Sequence, residues 1–156
     1  MLFRSNDTTT YRVRPLAEAE KVAEAVHEIP RRLPYLEALG VLARSHGSLL
    51  VGSDEPHYTA SKIYPALMSG RPYISLFHRA SSAHAILRNA GGGRVFAFAT
   101  PNELAGLEAP LAEGLRTIAC APETLGRVDP SAWAPYAAPA IARRFADIFD
   151  SLIAGG

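Results

Sequence analysis

Residues 48–77 read SLLVGSDEPHYTASKIYPALMSGRPYISLF, and this stretch decides the fold. Ser48-Leu-Leu-Val-Gly52 is a continuous apolar run, the pattern of a strand covered on both faces in a parallel sheet. A polar loop follows from Ser53. Helical spacing then runs over 59–69, with Ile63, Leu67 and Met68 on the buried side. Gly70-Arg-Pro72 ends that helix, and Tyr73-Ile-Ser-Leu-Phe77 is the next apolar strand.

The same alternation extends in both directions. Upstream, residues 2–4 read as the stub of a strand and 5–12 as polar loop. Pro15 suits a first helical position, with Leu16, Ala19, Val22, Ala23 and Val26 at helical spacing. A short strand fits Val26–Ile29, and Pro30-Arg-Arg-Leu-Pro34 is a stiff loop. Tyr35 to Ser45 reads as a helix with Tyr35, Leu36, Leu39, Leu42 and Ala43 inward and Gly47 as its cap.

Downstream, Ser81 or Ser82 caps a helix over 82–90, which Gly91-Gly-Gly93 ends as a flexible cap. Arg94–Phe98 is another strand. Thr100-Pro101 opens a helix with Glu103 at the capping-box position, and Pro110 breaks or restarts it before it runs to about Ala119. Residues 121–137 read as loop. Pro139 starts an amphipathic terminal helix over 139–153. It carries Ile141, Phe145, Ile148, Phe149 and Leu152 on one side, and Arg143, Arg144, Asp147 and Asp150 on the other.

Strands alternating with helices predict an α/β fold, a Rossmann-like parallel sheet with helices on both faces. The 156 residues suffice for one such domain, 1–156, whose first strand starts late. Apolar residues make up 48% and charged residues 20%, an ordinary globular composition. With 16 basic and 15 acidic residues the net charge is +1, so composition gives no reason to expect nucleic acid or an anionic membrane as partner. Arg4, Arg12 and Arg14 form a small basic cluster whose plainer reading is solvated charge.

Cys120 is the only cysteine, so no internal disulfide forms, and its apolar context reads as that of a small hydrophobe. No run of about 18 apolar residues suggests a membrane span. Polar residues follow Met1-Leu-Phe3 at once, unlike a secretory leader, so the expected setting is cytoplasmic.

Ligands of parallel α/β sheets bind outside the carboxyl ends of the strands. The segments predicted there are 5–14, 30–35, 53–61, 77–82 and 99–102. A helix N-terminus offers unpaired amides and a favourable dipole to a phosphate. Tyr58, Thr59, Ala60, Ser61 and Lys62 therefore form a candidate diphosphate site, through amides, hydroxyls and one ammonium. Asp54, Glu55 and His57 are candidates for sugar or ribose hydroxyls. Pro30, Arg31 and Arg32 form a rigid loop suited to a base edge or phosphate.

Each candidate has a plainer reading. Ser53 or Asp54 caps a turn, Lys62 is a solvated helix residue, the arginines are surface charge, and His78-Arg79 is a loop start. A Ser53, Asp54 and His57 triad lacks the Gly-x-Ser-x-Gly elbow. The residues name no catalytic group, and no metal or cofactor is expected.

Three segments carry a family likeness: Tyr35-Leu-Glu-Ala-Leu39, Ser48 to Pro56, and Ser61-Lys-Ile-Tyr-Pro-Ala-Leu-Met-Ser-Gly-Arg-Pro72. With Ala83 to Gly93 after them, they resemble the carboxyl-terminal, donor-binding domain of B-type glycosyltransferases. That group includes sucrose synthases and many bacterial wall and capsule enzymes. The resemblance covers about residues 26–152. It implies a nucleotide-sugar-binding half-enzyme. The loop 53–61 would receive the diphosphate and sugar, the loop 29–32 would lie by the base, and Lys62 would stand at the family's lysine position.

Two departures are plain. The family's Glu-x7-Glu pattern fails, since its glutamates align with His57 and Pro65. The acceptor-binding half is absent from these residues, so a missing domain or partner chain would supply it. Two other readings stay open. One is a non-catalytic interaction module that self-associates or docks through helix 139–153, and the other is half of a sugar-nucleotide epimerase.

Overall fold

Three parallel strands form the main sheet: β3 (Ser48–Val51), β4 (Tyr73–His78) and β5 (Gly93–Phe98), in that order. They belong to a computed structural model that describes residues 2–4, 13–57 and 60–155. The chain divides into two compact units, Met1–Ala38 and Leu39–Gly156.

The first unit holds two short parallel strands, β1 (Leu2–Arg4) and β2 (His27–Ile29), in the register Leu2 to His27 and Arg4 to Ile29. Between them lies α1 (Arg14–Ala19). No side chain within α1 caps its start. Instead the Glu28 carboxylate of β2 accepts the Val13 and Arg14 N–H groups at 3.2 and 3.3 Å, placing negative charge at the positive helix end.

The sequence predicts a longer helix than α1. The structure ends it at Lys21, which takes φ +58°. The Lys21 N–H donates to Glu18 O at 3.1 Å and the Val22 N–H to Ala17 O at 2.8 Å. This left-handed turn satisfies the last carbonyls and stops the helix. One 3-10 turn, Ala23–Ala25, replaces the remainder.

Helix α2 (Tyr35–Arg44) spans the boundary between the units in sequence. Tyr35 and Leu36, expected inward, are 70% and 78% exposed. Gly47, expected as a cap, serves close packing: a Cβ there would stand 2.6 Å from the Ile118 side chain and 2.9 Å from Pro72 O.

In the second unit β4 is the central strand, paired in parallel with β3 (Ser48 to Tyr73) and β5 (Tyr73 to Gly93). Tyr73 and Phe77 point to one face of β4. There they meet Ile63 and Leu67 of α3 (Ile63–Met68), and Ala83 and Leu87 of α4 (Ser82–Ala90). Ile74 alternates to the other face, where Gly114 of α5 (Glu108–Cys120) lies so close that a Cβ would stand 3.0 Å from it. Helices thus cover both faces of a parallel sheet, the predicted Rossmann-like α/β arrangement. The Tyr73 hydroxyl donates to Leu87 O at 2.6 Å, tying sheet to helix.

Other boundaries shift for local reasons. Ser81, not Ser82, caps α4, its Oγ accepting the His84 N–H at 3.2 Å. The Thr100 side chain makes no cap bond, and the segment after it is a 3-10 helix, Pro101–Leu107. Pro110 falls in the first turn of α5, where a missing N–H costs nothing. Residues 121–137 contain the 3-10 turns Pro122–Leu125, Pro130–Ala132 and Ala134–Tyr136.

Gly91-Gly-Gly93 is a packed corner rather than a flexible cap. Gly91 and Gly92 take φ +63° and +70°, and a Cβ on Gly92 would stand 2.5 Å from Val128 N. The Asp129 N–H closes the corner on Ala90 O at 2.7 Å. Cys120, expected to behave as a small hydrophobe, is exposed. Met68, expected to be buried, is exposed as well. The chain closes with α6 (Ala138–Ala154).

Candidate functional site

The carboxyl edge of the β3–β4–β5 sheet gathers three segments. Loop 52–62 leaves β3, residues 79–81 leave β4, and Ala99-Thr100 leaves β5. Gly52 extends the ladder by one bond, its N–H donating to Leu76 O at 2.8 Å. The chain can turn there only without a side chain, because a Cβ on Gly52 would stand 2.2 Å from the Phe77 ring.

Beyond Gly52 the loop rises to the surface. Ser53 Oγ accepts the Glu55 N–H at 2.9 Å, a local turn that occupies the serine. Asp54, Glu55 and His57 are exposed. Ser53 is therefore a turn residue, the plainer of its two readings. Tyr58 and Thr59, two of the predicted diphosphate ligands, lie outside the described residues.

Ala60 is buried in the core with Ile63, and its carbonyl accepts the Ile63 N–H at 3.1 Å. Ser61 and Lys62 are exposed. The helix predicted over 59–69 begins four residues later, at Ile63, with Lys62 as its N-cap residue. Pro65 is the reason. A helix started at 59 would carry Pro65 in its interior, without an N–H and against the Ser61 carbonyl. Starting at 63 places Pro65 in the first turn, where neither problem arises. Lys62 thus stands exposed at the entry of α3, and no ion pair engages its ammonium among the described residues.

The segment after β4 is organised inwardly. The Ala80 N–H donates to His78 Nδ1 at 3.1 Å, which leaves the proton on Nε2, 3.2 Å from Ala99 O. Both ring nitrogens are spent on the loop, so His78 holds β4 to β5 rather than reaching a ligand. Arg79 pairs with Glu103 at 2.9 Å. The Glu103 carboxylate is thus bonded to Arg79, 24 residues away in sequence, and local patterning carries no sign of that pairing.

His84, in the first turn of α4, was also missed. Burial, then the Arg88 and Arg79 guanidiniums, hold its imidazole below the usual histidine range. Its Nδ1 is buried without a hydrogen-bond partner among the described residues.

The predicted base-side loop belongs to the first unit. Arg31 is exposed and lies 3.6 Å from Glu37, and Arg32 is exposed. Of the basic cluster, Arg12 lies outside the described residues, and Arg14 is exposed and paired with Glu18 at 3.1 Å.

The described part of the loop therefore carries at the surface the Ser61 hydroxyl, the Asp54 and Glu55 carboxylates and the Lys62 ammonium, which no ion pair engages among the described residues. Such groups can hydrogen-bond and neutralise a polar, phosphorylated ligand. No protein-family model matches the chain, and neither the curated proteins nor the solved structures compared with it include a match.

Proposed function

We propose that the chain is the nucleotide-sugar-binding domain of a glycosyltransferase, needing an acceptor-binding half from elsewhere. One observation carries the reading. The segment whose sequence resembles the family's donor loop, Ser53 to Lys62, leaves the carboxyl end of a strand in a parallel sheet. Ligands of such sheets bind at that edge. Lys62 supplies a point charge for the departing diphosphate, and Asp54, Glu55 and His57, exposed on the loop that leads to it, supply groups for sugar or ribose hydroxyls. Stabilising the leaving diphosphate is the chemistry this half contributes, while acceptor activation belongs to the other half. The single exposed cysteine fits a reducing, cytoplasmic setting.

Pro65 stands where relatives carry a ribose-binding glutamate, so the reading places ribose contacts on Asp54 or Glu55. Calorimetric titration with uridine, guanosine, adenosine and thymidine diphosphates and their sugars is the test. One base is expected to give heat, and Lys62→Ala is expected to weaken that binding roughly tenfold to a hundredfold, the range of a charge-assisted bond. No heat across the panel from the folded chain would reject the reading.

A further inference from the structure

The turn that leaves the central strand β4 holds its backbone still and puts one cation at the surface. The Arg79 N–H donates to Phe98 O at 2.8 Å, and the Ser81 N–H to His78 O at 3.0 Å. The His78 ring fixes Ala80 on one side and reaches Ala99 on the other. Ser81 is buried, while Arg79 and Ala80 are exposed. A backbone fixed in this way lowers the ordering cost of any ligand its side chain meets.

The topology sets Arg79 and Lys62 at like ends of two neighbouring helices. β3 and β4 are parallel neighbours, α3 follows the first and α4 the second. The two helices share one cluster, Ala60, Ile63 and Leu67 with Ala83 and Leu87. Lys62 opens α3, and Arg79 stands just before α4, both at the carboxyl edge. Burial, then Arg88 and Arg79, hold the His84 imidazole low, so the Arg79 charge is felt at the start of α4.

Glu103 holds that guanidinium lightly. One Nη2–Oε2 bond of 2.9 Å joins them, and both side chains are exposed, by 61% and 40%. No other protein acceptor engages the Arg79 side chain among the described residues. An exposed, single-bonded pair is weak. A phosphate offers more charge and accepts two guanidinium bonds at once.

We propose that Arg79 is a second cationic ligand of the diphosphate, released from Glu103 when a phosphate takes the carboxylate's place. The inference rests on the nucleotide-sugar reading for the identity of the ligand.

Calorimetric titration with inorganic pyrophosphate tests it. Arg79→Ala is expected to weaken binding roughly tenfold to a hundredfold. Glu103→Gln is expected to tighten it about twofold to fivefold, because the competing carboxylate is gone. In an Arg79→Ala background Glu103→Gln is expected to change nothing. A pair that only braces the fold would behave otherwise, since either substitution removes the same bond and shifts binding the same way. Changes of like sign, no effect of Arg79→Ala, or no pyrophosphate binding by the folded chain overturns the proposal. Nucleoside diphosphate binding indifferent to Arg79→Ala overturns it while leaving the nucleotide-sugar reading intact. Pyrophosphate binding that needs Arg79, without heat from any nucleoside diphosphate or its sugar, supports the Arg79 site and rejects that reading.

Discussion

Tyr73 shows how one side chain serves both packing and hydrogen bonding. It is fully buried on β4, and its hydroxyl reaches the Leu87 carbonyl at 2.6 Å. Burial pushes its pKa up to about 12. An unfolded tyrosine ionises near 10, so between pH 10 and 12 the unfolded chain loses its proton first. The contribution of Tyr73 to stability is complete below pH 10 and declines by about 2 kcal/mol as pH rises towards 12. Tyr73→Phe is expected to cost about 1 kcal/mol at neutral pH and to remove this alkaline component. Urea unfolding at pH 8 and above pH 10 checks both, and parallel pH profiles for the two proteins would contradict the assignment. Tyr73 was legible as a strand residue from its apolar neighbours. Its hydroxyl partner was not, because Leu87 joins it only through the packing of α4 on the sheet.

At the scale of elements, the strands and α-helices of the second unit follow the sequence pattern in kind and order, apart from the 3-10 segments after Thr100 and over 122–136, because apolar runs and helical spacing are local properties. Their ends were read less well. α3 begins at Ile63 because Pro65 must fall in a first turn, a constraint local to the sequence. At Thr100 no capping box forms, and the Glu103 carboxylate bonds instead to Arg79, 24 residues away. Gly52, at the strand-to-loop junction of the candidate site, makes a sharper test. Gly52→Ala would drive a methyl into the Phe77 ring, which the core holds in place. The expected loss is about 1–3 kcal/mol in denaturant unfolding. In a Phe77→Leu background the added penalty should shrink, and equal penalties in the two backgrounds would show that the ring is not the obstacle.

For the molecule as a whole, protection should be graded. β4 is covered on both faces, whereas nearly all of α6 beyond Ile141 is exposed. Amide exchange is therefore expected to be slowest over Tyr73–Phe77 and fast over α6 in dilute solution. Equal protection of β4 and α6 would contradict this grading. By itself the sequence determined the α/β class, the parallel strands and the amphipathic terminal helix, since periodicity and turn chemistry are written into neighbouring residues. It also marked the loop after the strand at 48–51 as the polar one. Only the tertiary structure decided which polar groups remain free. His78 is consumed by its own loop, Arg79 by Glu103 and Ser53 by a turn, while Lys62 has no ion pair among the described residues. It also decided that the apolar stripe of α6 beyond Ile141 stays exposed among the described residues. Both depend on distances between residues far apart in sequence, which local patterning does not encode.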